Sequence, residues 1–166
     1  MAESRQRKRD STELDSVDWA ILHWLQVDAT VPNKELARQV HLAPSTCLER
    51  VRRLKASGVI SGIRAVVDPS CVGRGEQALL AIQIRPHSRQ SADDFVSRAV
   101  GFPETVALYN VSGEEDYLLH VAVRDSTALQ SLIIDRLLPL PQVAHCKTQL
   151  IFGKPVTSPV SRLPDD

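Results

Sequence analysis

The 166-residue chain balances 20 lysines and arginines against 20 aspartates and glutamates, and its 43% hydrophobic content is ordinary for a globular protein large enough for one ordinary domain or two small ones. No apolar run approaches the ~20 residues that cross a bilayer, and the charged opening MAESRQRKRDSTELD leads into no apolar stretch, so we expect no transmembrane helix and no secretory signal and place the protein in the cytoplasm. Cys47, Cys71 and Cys146 are odd in number and lack partners at metal-ligand spacing, which argues for reduced thiols and against a metal centre.

The basic run Arg5–Arg9 lies in a tail (residues 1–13) that reads as disordered, either adding phosphate contacts or only solubilising the chain. Residues 14–28 carry Leu14, Val17, Ile21, Leu22, Trp24 and Leu25 at mostly helical spacing, with Asp15 and Asp18 near the start where carboxylates suit the helix dipole. VPNKELARQV predicts a second, short helix entered through a proline. His41 and Leu42 then connect tightly to a third helix from about Pro44 to Ser57, which Gly58 closes. Up to Arg64 there are eleven basic and eight acidic side chains, so the front of a neutral chain is basic and its remainder acidic.

In the third helix, Cys47, Leu48, Val51 and Leu54 share the side expected to pack on the first two helices. Ser45, Thr46, Glu49, Arg50 and Arg53 remain on the opposite side. A helix of this makeup, following a short helix across a tight turn, has the pattern of a helix-turn-helix recognition helix, whose exposed end enters the major groove of double-stranded DNA. There, Ser and Thr reach base edges or phosphates and Arg binds guanine; Glu49 accepts from cytosine or holds Arg53 one turn on. Pro44 at the helix start, with Lys34 and Arg38 on the preceding helix, completes the candidate DNA-contacting set. The competing reading of this face is an ordinary solvated one.

VISGIRAVVDP alternates and is rich in Val and Ile, which predicts either two short strands around Ser61 and Gly62 or one extended strand leaving the helical unit; SCVGRGE follows as a linker. From Gln77 the order is strand (QALLAIQI), helix (SADDFVSRAV), strand (TVALYNV), strand (YLLHVAV), helix (STALQSLIIDRLL), strand (AHCKTQLIF). That order is the ferredoxin-like βαββαβ arrangement, an α+β fold with helices on one face of an antiparallel sheet and the other face free for a second subunit. The expected organisation is therefore a helix-turn-helix domain over 14–64, a connecting strand and linker over 65–76, a ferredoxin-like domain over 77–153 and a loose tail over 154–166 rich in proline and serine.

LDSVDWAILHWLQVDA, KELARQV, LAPSTCLERVRRL, SGVISGIRAVVDP and VSGEEDYLLHV, in this order from Leu14 to Phe152, make the chain resemble the Lrp/AsnC (feast/famine) family of transcriptional regulators. The resemblance implies a helix-turn-helix domain that binds promoters as a dimer, and a ferredoxin-like domain that assembles dimers into tetramers, octamers or larger rings and binds an effector, usually an amino acid. It also implies that the VSGEED segment lies between dimers and lines the effector pocket, with residues near Thr148. Carried over, Gly113, Glu114, Glu115 and Asp116 would meet the charged groups of the amino acid, Thr148 and Gln149 would hydrogen-bond it, and Leu108, Val111 or Leu138 would meet its side chain; read without the resemblance, the same turn is a solvated one. Three positions depart from the family pattern: Ala43 stands where a capping serine is usual, His41 where a glycine is common, and Ile63 where a tyrosine is frequent.

No nucleophile–base order, phosphate loop or metal spacing accompanies His120 or His145, so no catalysis and no cofactor are expected. The expected function is sequence-specific transcriptional regulation in answer to a small molecule, with recognition helices in successive major grooves and effector binding altering their spacing. Two competitors stay open: a nucleoid-associated architectural protein without an effector, and an amino-acid-metabolism enzyme with a regulatory domain.

Overall fold

The computed structural model describes residues 13–164, so the basic run Arg5–Arg9 lies outside the described residues. The described residues divide into two compact units, residues 13–65 with 156–164, and residues 66–155.

The first unit holds α1 (Ser16–Val27), α2 (Asn33–Gln39) and α3 (Pro44–Ala56). Asp15 caps α1 by accepting from the Asp18 amide at 2.8 Å, while Asp18 accepts back from the Asp15 amide at 3.3 Å, a reciprocal capping box. Ile21, Leu22, Leu36, Ala37, Val40, Cys47 and Leu54 form the core. Leu48, expected on that side, is instead 39% exposed. His41 takes φ 54°, a left-handed conformation that costs a side chain energy glycine would not spend. Gly58 ends α3 at φ 77°.

After a bend at residues 59–60, residues 61–67 form no strand among the described residues, and Ile63, Val66 and Val67 are exposed. Their alternation is that of a strand, and what is missing is a partner. The expected linker also has structure of its own: Asp68 caps a short 3-10 turn over Pro69–Val72 through the Ser70 amide. The C-terminal segment, expected to be loose, groups with the helices: the Gln26 side-chain amide donates to the Val160 carbonyl at 3.1 Å and accepts from the Val160 amide at 2.8 Å.

In the second unit β1 (Glu76–Ile84), β2 (Thr105–Asn110), β3 (Tyr117–Val123) and β4 (Val143–Leu150) form one sheet in the order β2-β3-β1-β4, all pairs antiparallel. α4 (Arg89–Val100) follows β1, and α5 (Ser126–Ser131) follows β3. The sequence predicts one α-helix over STALQSLIIDRLL; after Ser131 it widens into π-helix over Leu132–Leu137, a change continuous enough to leave the apolar spacing looking α-helical. Leu80, Ile82, Phe95, Leu119, Leu132 and Leu137 pack between sheet and helices. Register assigns the opposite, open face: Leu79 pairs with His120 and Gln149, Ala81 with Leu118 and Lys147, and Tyr109 with Leu118.

Candidate functional site

On α3, Ser45, Thr46, Leu48, Glu49, Arg52 and Arg53 are exposed, while Cys47 and Leu54 are buried against α1 and α2. Pro44 opens the helix, and its N-cap Ala43 supplies no side-chain hydrogen bond, so the first amides keep their donor capacity. Asn33 braces the junction from α2, donating to the Pro44 carbonyl at 2.8 Å. Lys34 is exposed on α2; Arg38 is exposed too, but donates to Glu35 at 2.6 Å, and this bond with that from Gln39 draws the Glu35 carboxyl down to about 2.

Arg50 and Arg53, expected on the exposed side, turn toward α1. The Arg50 guanidinium donates to Asp15 at 2.6 Å and to Asp18 at 3.0 Å, and Arg53 donates to Asp18 at 2.6 Å. The Asp18 side chain is 1% exposed, so the two guanidinia compensate a carboxylate that has lost its water. Arg50 beside Asp15 holds that carboxyl below the usual range. Glu49 does not hold Arg53; it faces Arg52 at 3.8 Å, and both side chains are open to solvent.

The second candidate is the turn between β2 and β3. Gly113 occupies φ 131°, where a side chain is disfavoured. Val111 closes the turn by donating its amide to the Asp116 carbonyl at 3.0 Å. The Asp116 carboxylate accepts from the Ile84 amide at 2.8 Å, with His87 at 3.6 Å and Arg85 at 4.0 Å, and the Arg85 and His87 side chains touch each other. Lys147 of β4 reaches across to donate to Glu115 at 2.8 Å and Glu114 at 3.3 Å, which lowers the Glu115 pKa and raises that of Lys147. Gln83 donates to the Glu114 carbonyl at 2.6 Å.

Four of the expected effector residues, Gly113, Glu114, Glu115 and Asp116, are thus joined by Gln83, Arg85, His87 and Lys147, which the sequence reading passed over. Lys147 alone carried a signal, by its place next to Thr148. The other expected residues are more dispersed. Thr148 pairs with Leu80 and so shares the helix side of the sheet, whereas Gln149 pairs with Leu79 on the open side. Leu108 packs against the core and Leu138, 46% exposed, follows the π-helical segment. His120 sits on the open face, hydrogen-bonded to Gln77 at 3.0 Å, with its pKa lowered by burial. Among the described residues no cluster of histidine, cysteine and carboxylate side chains could hold a metal, and no helix is long and apolar enough to cross a membrane.

Comparison with known proteins places both units. The AsnC-type helix-turn-helix domain matches residues 14–55, and the Lrp/AsnC ligand binding domain matches residues 77–161. The HTH-type transcriptional regulator AldR of Mycolicibacterium smegmatis is 39% identical over 140 residues, covering 84% of this chain and 82% of the relative. The leucine-responsive regulatory protein of Escherichia coli is 34% identical over 146 residues, covering 88% and 89%. A transcriptional regulator from Neisseria meningitidis, crystallised as a complex with L-methionine, superposes with a TM-score of 0.82 at 31% identity, covering 91% of this chain and 96% of that one. These relatives are regulators, not enzymes.

Proposed function

Because the chain belongs to the Lrp/AsnC family of transcriptional regulators, we propose that it binds double-stranded DNA sequence-specifically through α3 and answers an amino acid bound at the 113–116 turn. The observation that carries the DNA half is the exposed end of α3: Pro44, Ser45, Thr46 and Glu49 stand clear of the helical unit, with uncapped amides at the helix start. Those amides suit a phosphate, the polar side chains suit base edges, and Lys34 and Arg38 add backbone contacts from α2.

The effector half is supported by charges of both signs around one turn. An amino acid brings an ammonium and a carboxylate; Glu114, Glu115 and Asp116 suit the first, and Lys147 and Arg85 the second. The neighbour solved with L-methionine supports this ligand class. Thr148 and Gln149 serve a ligand only where a second copy brings opposite faces of two sheets together, consistent with a site shared between dimers. The open sheet face and the unpaired 59–67 segment are the surfaces a homo-oligomer would cover, and the protein works in the cytoplasm on the nucleoid.

A thermal-shift screen of the twenty amino acids, repeated with Gly113→Arg, tests the effector half, because a ligand of the folded state raises the melting temperature by mass action. We expect a selective shift that the variant abolishes; no shift from any amino acid refutes it. By linkage, an effector that alters DNA affinity binds with different affinity when DNA is present, so equal titrations with and without DNA would remove the allosteric step. DNA affinity that varies little between random and promoter sequence, while staying steeply salt-dependent, would favour the architectural reading.

A further inference from the structure

The arginines of α3 do two different things in this structure. Arg50 and Arg53 are engaged on Asp18, which is fully buried, and on the Asp15 that caps the same helix. The capping box of α1 thereby doubles as a socket for two guanidinia from a helix more than 30 residues later in the chain. A carboxylate sealed from water cannot release its cations to a passing ligand without standing uncompensated.

Arg52 is the remaining arginine of α3, and it is situated differently. Its side chain is 68% exposed, and its one ion-pair partner among the described residues, Glu49 at 3.8 Å, is 75% exposed, a surface pair that water already weakens. Ser45, Glu49 and Arg52 follow one another at i, i+4 and i+7, so they form one stripe along the helix, turned away from buried Cys47 and Leu54. From Ser45 to Arg52 the helix rises roughly 10.5 Å, within the ~12 Å width of the major groove.

Resting on the DNA-binding reading above, we propose that Arg52 and Glu49 determine base specificity, and that Asp18, Arg50 and Arg53 are positioning residues that hold α3 at its angle to α1. Arg52 supplies the bidentate donor that guanine N7 and O6 require, and Glu49 accepts from cytosine N4; their mutual pair opens as both reach the bases. Arg50 and Arg53 stay on Asp18 in the complex.

The test is selection of binding sites from a randomised duplex library, followed by affinity measurement on the selected site well below each variant's melting temperature. Arg52→Ala is expected to lose discrimination at one base pair by roughly 5- to 150-fold. Arg50→Lys, Arg53→Lys and Asp18→Asn are expected to select the same sequence and to bind it more weakly, even when fully folded; a purely stabilising role would leave the affinity of the folded variants at the wild-type value. A site unchanged by Arg52→Ala, or a base preference altered by Arg50→Lys, overturns the assignment. Wild-type protein that enriches no sequence overturns the DNA-binding reading itself and this assignment with it.

Discussion

Each unit of the molecule carries a group of carboxylates facing cations, and the two groups differ in almost everything except their charges. In the helical unit Asp18 is buried with two arginines upon it. In the sheet unit the Glu114 side chain is 80% exposed and the Lys147 side chain 47% exposed. Ion pairs in water contribute little and exchange easily, whereas a buried carboxylate depends on its partners for the hydration it has lost. The first group therefore depends on its partners, whereas the Glu114–Lys147 pair of the second is open to a competing ligand, although a charge count would score them alike.

That contrast is most severely tested by removing the buried member. Asp18→Ala takes from Arg53 its carboxylate and from Arg50 one of its two, deletes half of the α1 capping box and leaves a void, and is expected to cost about 2–3 kcal/mol. For a unit of this size that lowers its melting temperature by roughly 10–20 °C. Glu114→Ala in the other group is expected to stay within about 0.5 kcal/mol. Equal losses in urea or thermal melts would erase the distinction. A smaller cost, about 1–2 kcal/mol, is expected for Gly113→Ala: a methyl group there meets no atom within 4 Å, so the whole effect comes from the backbone at φ 131°. If that melt is unchanged, the turn is not held in this conformation.

Acid weakens both groups in the same direction. Asp15 in the helical unit, and Asp68 and Glu115 in the sheet unit, have pKa values lowered chiefly by hydrogen bonds from Arg50, Lys154 and Lys147 respectively, and Asp68 falls to about 2. A carboxyl lowered on folding adds stability that is complete above its unfolded value near 4 and lost as the pH falls through its folded value. Melting temperatures measured from pH 6 down should hold to about pH 4 and then decline by several degrees toward pH 2. A flat or rising profile would mean that these pairs do not form in solution.

The division of labour among these charges was only partly open to a reading of the sequence. Helix periods and the proline and glycine punctuation locate α1, α2 and α3, and the order of strands and helices after Gln77 gives the split sheet, because those signals are local. The Asp18–Arg53 pair joins residues 35 positions apart, and periodicity along α3 says which residues share a side without saying what lies beside it. Arg50 and Arg53 therefore read as outward, and Arg52 escaped notice. Lys147 was missed for a similar reason: only the register of β4 on β1, which sets it opposite Ala81, carries it toward Glu114 and Glu115. The 59–67 segment has the alternation of a strand, but alternation cannot supply a neighbour.

The smallest expected effect on stability separates the two groups most sharply. Lys147→Met keeps the length of the side chain and removes a half-exposed charge from its direct contacts with Glu114 and Glu115, so the sheet unit should lose little stability. On the proposed effector reading, the same substitution takes from the turn the cation best placed to receive an amino acid's carboxylate. The melting temperature without ligand should scarcely move, while the shift produced by the effector falls away. A large drop in the ligand-free melt would make Lys147 a structural residue like Arg53. An undiminished shift would put the carboxylate on Arg85, the remaining cation beside Asp116 whose charge does not depend on pH.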